Sequence, residues 1–180
     1  QPAGRPPPHR SSVASFPLVV VTVLTTGRHP WFRPADRSAG PTLATVPFTH
    51  PVEVRYLEAD QQGVVFNMWY LAYFDDAFSG LLLHGGLSYP ELLAQGWDVQ
   101  LVHTELDWAG PVRWGDPLEI DVALARMGTT SFALQFLARV GDRVACTAET
   151  VYVAVETEGW TKVPVPDVLR DALGPVNSLR

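Results

Sequence analysis

The sequence is poor in cysteine and lysine, with one of each, Cys146 and Lys162, among 180 residues. A single cysteine excludes a disulfide within this chain and suits a reducing compartment, so we expect a cytoplasmic protein. No apolar run reaches the about 20 residues that a membrane-spanning helix needs. Clustered basic side chains, which a nucleic-acid surface requires, are also missing. We therefore expect neither a membrane nor a nucleic-acid partner.

The sequence also lacks the usual signatures of cofactors. It has no Gly-x-Gly-x-x-Gly run, no Walker loop and no CxxC pair. His84 and His103 stand alone, whereas a metal site needs three or four convergent ligands. We expect no cofactor and no bound metal.

Charge divides the chain into two parts. Residues 1–48 contain five Arg and one Asp, a net charge of +4, and are rich in Pro, Ser, Thr and Gly, whereas residues 49–180 carry a net charge of −10. A Pro-rich polar segment buries too little apolar surface to offset its ordering entropy. We predict a disordered or extended tail over 1–48, with a strand-like patch at 19–23, one domain over 49–173, and a C-terminal tail over 174–180.

Hydrophobic periodicity predicts how the domain is built. Residues 67–84 form a helix that is apolar around most of its circumference, so the helix must be covered on several sides. Ser88 and Glu91 have the spacing of a capping box at the start of a short helix, 88–96. Alternating segments and turn signals predict the remaining elements: strands at 50–57, 97–108, 118–127, 131–140 and 143–155, and a closing helix at 166–173. The predicted fold is α+β, a curved antiparallel sheet wrapped around a long central helix.

The segment between the first strand and the central helix has the composition of a catalytic loop. Asp60 follows the strand, Gly63 supplies a turn, and the helix begins near Asn67. A carboxylate can activate water or attack an electrophile, and the free N–H groups of a helix N-terminus can stabilise a developing negative charge. Two interpretations of Asp60 stay open at this point, a catalytic group and a residue that only begins a turn or caps the helix. Glu58, Asp75 and Asp76 are further carboxylates for which structural roles are favoured.

The motif in this segment resembles that of the hot dog fold acyl-CoA thioesterases, most closely the 4-hydroxybenzoyl-CoA thioesterase type. The resemblance extends over about residues 49–170. It rests on the following residues and segments: Tyr56, Glu58, Asp60, Gly63, Val65, Asn67, Tyr70, Leu71, Tyr73 and Phe74, then 110–118 and 128–132.

The resemblance implies a hot dog fold, hydrolysis of an acyl-CoA thioester, and a homodimer or homotetramer with its active sites at subunit interfaces. It assigns the catalytic carboxylate to Asp60 and the oxyanion donor to the backbone N–H of Asn67. It further implies substrate-binding positions in the motif and in the later hairpin: Gly63, Val65, Phe66, Tyr70, Thr130 and Ser131.

The chain departs from the family pattern in ways that leave alternatives open. Asn67 stands where one branch has histidine, and the hairpin 128–130 lacks the basic side chains that some relatives offer to the phosphates of CoA. The alternatives are hydrolysis of an acyl chain held on a carrier protein, and a non-catalytic acyl-binding module on the same scaffold.

Overall fold

The computed structural model describes residues 20–23 and 48–179. Within these residues, six strands form one sheet in the order β1-β3-β6-β5-β4-β2. Neighbouring strands are antiparallel, except that β1 pairs parallel with β3. The strands are β1 Val20–Val23, β2 Phe48–Glu53, β3 Trp97–Trp108, β4 Pro117–Met127, β5 Ser131–Val140 and β6 Arg143–Glu156.

The sheet is curved around α1, Trp69–His84, which lies on its concave face. Aromatic side chains make the contact, because Phe74 stacks on Phe136 with ring centroids 4.9 Å apart and Phe78 lies 4.7 Å from Tyr152. Seven side chains of α1 are buried: Tyr70, Tyr73, Phe74, Ala77, Phe78, Leu81 and Leu82. The predicted arrangement of a sheet wrapped around an apolar helix is therefore confirmed.

Two shorter helices complete the domain. In α2, Tyr89–Ala94, Ser88 accepts a hydrogen bond from the N–H of Glu91, and the Glu91 carboxylate accepts one from the N–H of Ser88, so the predicted capping box is present. The closing helix α3, Asp167–Leu173, packs against α1.

The largest boundary difference from prediction lies at the first strand, next to the segment that carries Asp60, whereas the bounds of β4, β6, α2 and α3 differ by one or two residues. Strands β3 and β5 have the predicted bounds. The first strand, expected over 50–57, instead spans Phe48–Glu53, because residues Tyr56–Glu58 form a 3-10 turn. Helix α1 begins at Trp69, since the chain still turns at Asn67 and Met68.

The predicted tails are only partly covered by the described residues. The strand-like patch expected at 19–23 corresponds to β1, which pairs with His103–Leu106 of β3, and Phe48 belongs to β2. The other positions of 1–48 lie outside the described residues, so the proposed division into tail and domain stays a prediction. At the other end, the N–H of Asn177 donates to the carbonyl of Leu124 at 2.8 Å, which fastens the chain after α3 to β4.

Gly85, directly after α1, allows the close approach of α3. A Cβ placed on Gly85 would overlap the carbonyl group of Ala172. We expect Gly85→Ala to lower the free energy of unfolding by about 1–3 kcal/mol, because backbone atoms of α3 would have to move. Urea unfolding measures the change. The exposed Ser79 of the same helix provides a control, since Ser79→Ala should stay within about 0.5 kcal/mol of wild type. Equal midpoints for the two variants would contradict this packing.

Candidate active site

Residues 58–68, the segment predicted from the sequence to be a catalytic loop, fold as a tight hairpin-like loop that ends at α1. Gly63 closes its tip with a φ of 73°, a left-handed conformation that glycine adopts at little cost. Three pairings hold the loop: the N–H of Phe66 donates to the carbonyl of Glu58 at 2.9 Å, the N–H of Asp60 donates to the carbonyl of Val64 at 2.8 Å, and Ala59 forms a bridge with Val65. The loop therefore holds Asp60 and the start of α1 in one rigid unit.

The carboxylate of Asp60 is held by one of its two oxygens. Oδ1 accepts hydrogen bonds from the N–H of Gln62 at 2.8 Å and from the N–H of Val64 at 3.5 Å. Among the described residues no donor binds Oδ2, and the residue is half-buried. One oxygen of Asp60 thus organises the turn, as the structural interpretation predicted, and the other is open to a reactant. The catalytic interpretation stays a prediction.

Glu58, two residues earlier, has a different environment. Its side chain is only 1% exposed. Oε2 accepts from the hydroxyl of Tyr73 at 2.6 Å and from the N–H of Arg55 at 2.8 Å, and Oε1 accepts from Nε of the Arg55 guanidinium at 2.7 Å. Both oxygens are occupied, so Glu58 is a structural acceptor that fastens the loop to α1.

The same contacts determine the pKa of Glu58. Burial by itself would raise the pKa of this carboxyl, but the hydrogen bonds from Tyr73 and Arg55 outweigh it and lower the pKa below the ordinary 4.5. Burial and the contact with Glu58 raise the pKa of Tyr73 above its usual range, so the phenol remains a donor.

The turn that leads into α1 presents unpaired backbone donors. The helix has no side-chain cap, and the N–H groups of its first three residues, 69–71, donate to the carbonyls of Phe66, Asn67 and Met68. Among the described residues the N–H groups of Asn67 and Met68 have no acceptor. Both residues are exposed, and the helix dipole places partial positive charge at this end. Among the described residues the Asn67 side chain makes no capping bond.

The remaining predicted positions of the motif lie around and beneath the loop. Phe66 is exposed beside Asn67, whereas Val65 is buried and its N–H donates to the carbonyl of Val112 at 2.8 Å. Tyr70 is 2% exposed, meets Trp108 edge to face, and has a pKa that burial raises to about 12. Phe66 is the member of this group that a substrate can reach directly.

The hairpin that carries Thr130 and Ser131 lies at the other end of the sheet. Near one end of β6, the N–H of Ala154 donates to the carbonyl of Thr130 at 3.0 Å. The loop that carries Asp60 adjoins the other end of β6, where Cys146 pairs with Trp108 of β3. Eight residues of β6 separate those two ends, about 26 Å at 3.3 Å per residue. One chain therefore does not bring Thr130 and Ser131 to Asp60.

A cavity of about 420 Å³ lies between β2 and α1, next to the loop. Glu58, Tyr73 and Trp69 are among its lining residues. The guanidinium carbon of Arg55 lies over the ring of Trp69, 5.4 Å from the ring centroid. Asp60 and Asn67 do not line this cavity, so it adjoins the candidate reaction centre without containing it.

The helix carboxylates considered from the sequence are not drawn into the loop. Asp76 is exposed and lies 3.0 Å from Nε2 of His50, as the structural interpretation expected. Burial, followed by the neighbouring Asp76 charge, raises the pKa of Asp75.

The pairing of Tyr56 with Trp114 was not predicted from the sequence. Their ring centroids lie 5.5 Å apart, although the residues are far apart in the chain.

Residues 54–173 match a family model described as the Thioesterase-like superfamily. The match spans most of the chain, so the chain belongs to this superfamily, as the motif around Asp60 predicted.

Individual relatives are similar at lower identity. The chain is 25% identical over 122 residues to a 1,4-dihydroxy-2-naphthoyl-CoA hydrolase of Synechococcus elongatus, a match over 67% of this chain and 90% of the relative. It is 28% identical over 115 residues to the acyl-CoA thioester hydrolase YbgC of Escherichia coli, over 63% of this chain and 86% of that protein. The structure of Slr0204, a 1,4-dihydroxy-2-naphthoyl-CoA thioesterase from Synechocystis, aligns with a TM-score of 0.65 at 22% identity, over 70% of this chain and 94% of that chain. The predicted hot dog fold is confirmed.

Among residues 20–23 and 48–179, no helix has the length and apolar character needed to cross a membrane.

The buried Glu58 should make the stability of the protein depend on pH. Because its folded-state pKa is lowered, its contribution is complete above the ordinary pKa of 4.5 and is lost as pH falls below that value. We expect Glu58→Gln to cost about 2–4 kcal/mol at pH 7, since Arg55 and Tyr73 lose a charged acceptor. Urea unfolding at several pH values should show this difference shrinking below pH about 4. The exposed Glu53→Gln is the control, and an equal cost for both variants would contradict the role of Glu58.

Proposed function

We propose that the protein hydrolyses acyl-CoA thioesters, releasing a carboxylic acid and free CoA. The observation that carries the proposal is the presence of two features in one loop: the open Oδ2 of Asp60 and the unpaired N–H groups of Asn67 and Met68 just before α1. Membership of the thioesterase-like superfamily and the names of the two enzymes compared above support the same reaction class.

Each feature supplies one requirement of thioester hydrolysis. Asp60 takes a proton from water while the water oxygen attacks the thioester carbon, or its own oxygen attacks to give an anhydride that water then cleaves. The developing oxyanion accepts a hydrogen bond from the N–H of Asn67, and such a donor is typically worth about 2.7–4 kcal/mol. The C–S bond then breaks, and the thiolate of CoA leaves and is protonated. Asn67 acts through its backbone, so the absence of histidine does not remove this step.

The acidic surface argues mildly against a thioester on a carrier protein. Residues 49–180 carry a net charge of −10, and carrier proteins are usually acidic, so the two surfaces would repel each other. Side-by-side turnover of one acyl group on CoA and on a carrier protein compares the two substrates.

We further propose a homodimer, or a tetramer built from such dimers, in which two copies complete each site. Suppose that the β3 strands of two copies pair antiparallel around a two-fold axis. The C-terminal end of one β3, which adjoins Asp60, then lies beside the N-terminal end of the other, which is the end nearer to Thr130. That arrangement overcomes the separation within one chain. It also requires β1 to leave the edge of β3 at His103–Leu106.

Asp60→Asn is the most direct test of the catalytic carboxylate. The amide oxygen can still accept the turn hydrogen bonds, but it can neither take a proton nor attack, so kcat should fall about 100-fold or more with the melting temperature little changed. Release of free thiol from a panel of acyl-CoA esters gives the rate. Glu91→Gln is a matched control, since Glu91 also accepts backbone hydrogen bonds, at the start of α2. Undiminished turnover in Asp60→Asn would overturn the assignment.

Single turnover in oxygen-18 water tests for direct attack by Asp60. With excess enzyme, general-base catalysis puts the label into the released acid in the first turnover. Direct attack gives an anhydride, and water that adds at the Asp60 carbonyl carbon leaves an unlabelled Asp60 oxygen in the acid and the label in the carboxylate. An unlabelled acid in the first turnover therefore identifies direct attack.

Mixed dimers test the shared site. In a dimer of one Asp60→Asn chain and one Thr130→Glu chain, one site receives both changes and the other receives neither. We expect separately purified variants to be nearly inactive, because the introduced glutamate repels the phosphates of CoA, and the mixed dimer to regain about half of the wild-type activity. Differently tagged, co-expressed chains yield the mixed species. No recovery in the isolated mixed dimer would contradict a site completed by the partner.

A further inference from the structure

The two most exposed aromatic side chains of the described residues form a pair beside the loop that carries Asp60. Tyr56 is 77% exposed and Trp114 is 62% exposed. Their rings meet edge to face, with centroids 5.5 Å apart and planes at 84°. An exposed indole and phenol that support each other are a rigid surface on which a planar ring can stack.

Backbone pairing connects this pair to Asp60. Tyr56 opens the 3-10 turn that leads into the loop. Val65 connects the loop to the segment that precedes Trp114, since it forms a bridge with Ala59 and its N–H donates to the carbonyl of Val112. Trp114 follows Val112 by two residues. A molecule whose reactive end lies at Asp60 therefore has the aromatic pair within reach of its other end.

Positive charge is concentrated at the same place. Arg55, Arg113 and Arg143 are three of the eight Lys and Arg residues in 49–180, a part of the chain with a net charge of −10. Arg55 pairs with Glu58, and Arg143 lies 3.7 Å from Asp116. Among the described residues Arg113, adjacent to Trp114 and exposed, has no ion-pair partner. It is a cation available to an incoming anion.

Two guanidinium groups near the hairpin 128–130 have other contacts. Arg126 lies 3.7 Å from Glu149, and Arg170 donates to the carbonyls of Gly128 and Thr129. Arg113 differs from both because it is exposed, has no ion-pair partner among the described residues and adjoins the aromatic pair.

We propose that Tyr56, Trp114 and Arg113 bind the adenine nucleotide end of coenzyme A, an inference that rests on the proposed acyl-CoA hydrolysis. The adenine ring stacks on the aromatic pair, and the phosphates pair with Arg113. Stacking and one exposed arginine favour the nucleotide without recognising the acyl group. The residues set the preference for CoA over a substrate that lacks the nucleotide, and they take no part in bond cleavage.

Calorimetric titration with adenosine 3′,5′-bisphosphate tests the contact without catalysis. The wild type should bind this fragment, and Trp114→Ala and Arg113→Gln should each weaken binding about 10-fold, the scale measured for one stacked base or one charged contact. Trp160→Ala is the matched control, because Trp160 is 46% exposed and stands two residues before Lys162, in the turn after β6. Failure of the wild type to bind, or equal binding by all four proteins, would overturn the proposal.

Kinetics with two thioesters of the same acyl group separate this proposal from the proposed function. The ratio of kcat/KM for acyl-CoA to that for acyl-pantetheine should fall about 10-fold in Trp114→Ala and in Arg113→Gln. If the wild type cleaves neither thioester, the proposed function fails, while the titration still decides the nucleotide contact. If Trp114→Ala instead converts an oligomer into monomers on size exclusion, a second copy covers the pair and the proposal is wrong.

Discussion

The hydrogen bonds that converge on the buried carboxylate of Glu58 hold the catalytic loop in place. Tyr73 of α1 and Arg55 at the end of the first strand both donate to it, so one group joins strand, loop and helix. A buried carboxylate is stable only when it is paired. The geometry of the loop therefore depends on the hydrogen bonds of Glu58 being formed. The Asp60 turn and the start of α1 then keep fixed positions relative to each other.

In the proposed mechanism, that rigidity lets a turn residue, Asp60, also act as the reactive carboxylate. The N–H groups of Gln62 and Val64 hold Oδ1 of Asp60, and this orients Oδ2 without occupying it. The N–H groups of Asn67 and Met68, just before α1, have no acceptor among the described residues, so they remain available to an oxyanion. Preorganised donors of this kind need no rearrangement during the reaction, which is the main source of their effect.

The two ends of the long strands carry different side chains. The Asp60 end carries the unpaired guanidinium of Arg113 and the exposed pair of Tyr56 and Trp114, while the hairpin 128–130 lies about 26 Å away along β6. Pairing two chains through β3 would bring the two ends together, because a two-fold axis reverses the strand direction.

The sequence by itself determined the elements, the wrapped helix and the position of the reactive loop. Those features follow from local rules: alternation along β3 and β5, apolar residues around most of the circumference of α1, the capping box at Ser88, and a glycine turn after Asp60. Only the tertiary structure decided that Glu58 is an anchor while Asp60 keeps a free oxygen, that the first strand ends at Glu53, and that Tyr56 meets Trp114. The role of Glu58 and the pairing of Tyr56 with Trp114 depend on partners distant in the chain, and side-chain pairing at that range is determined by packing and not by periodicity.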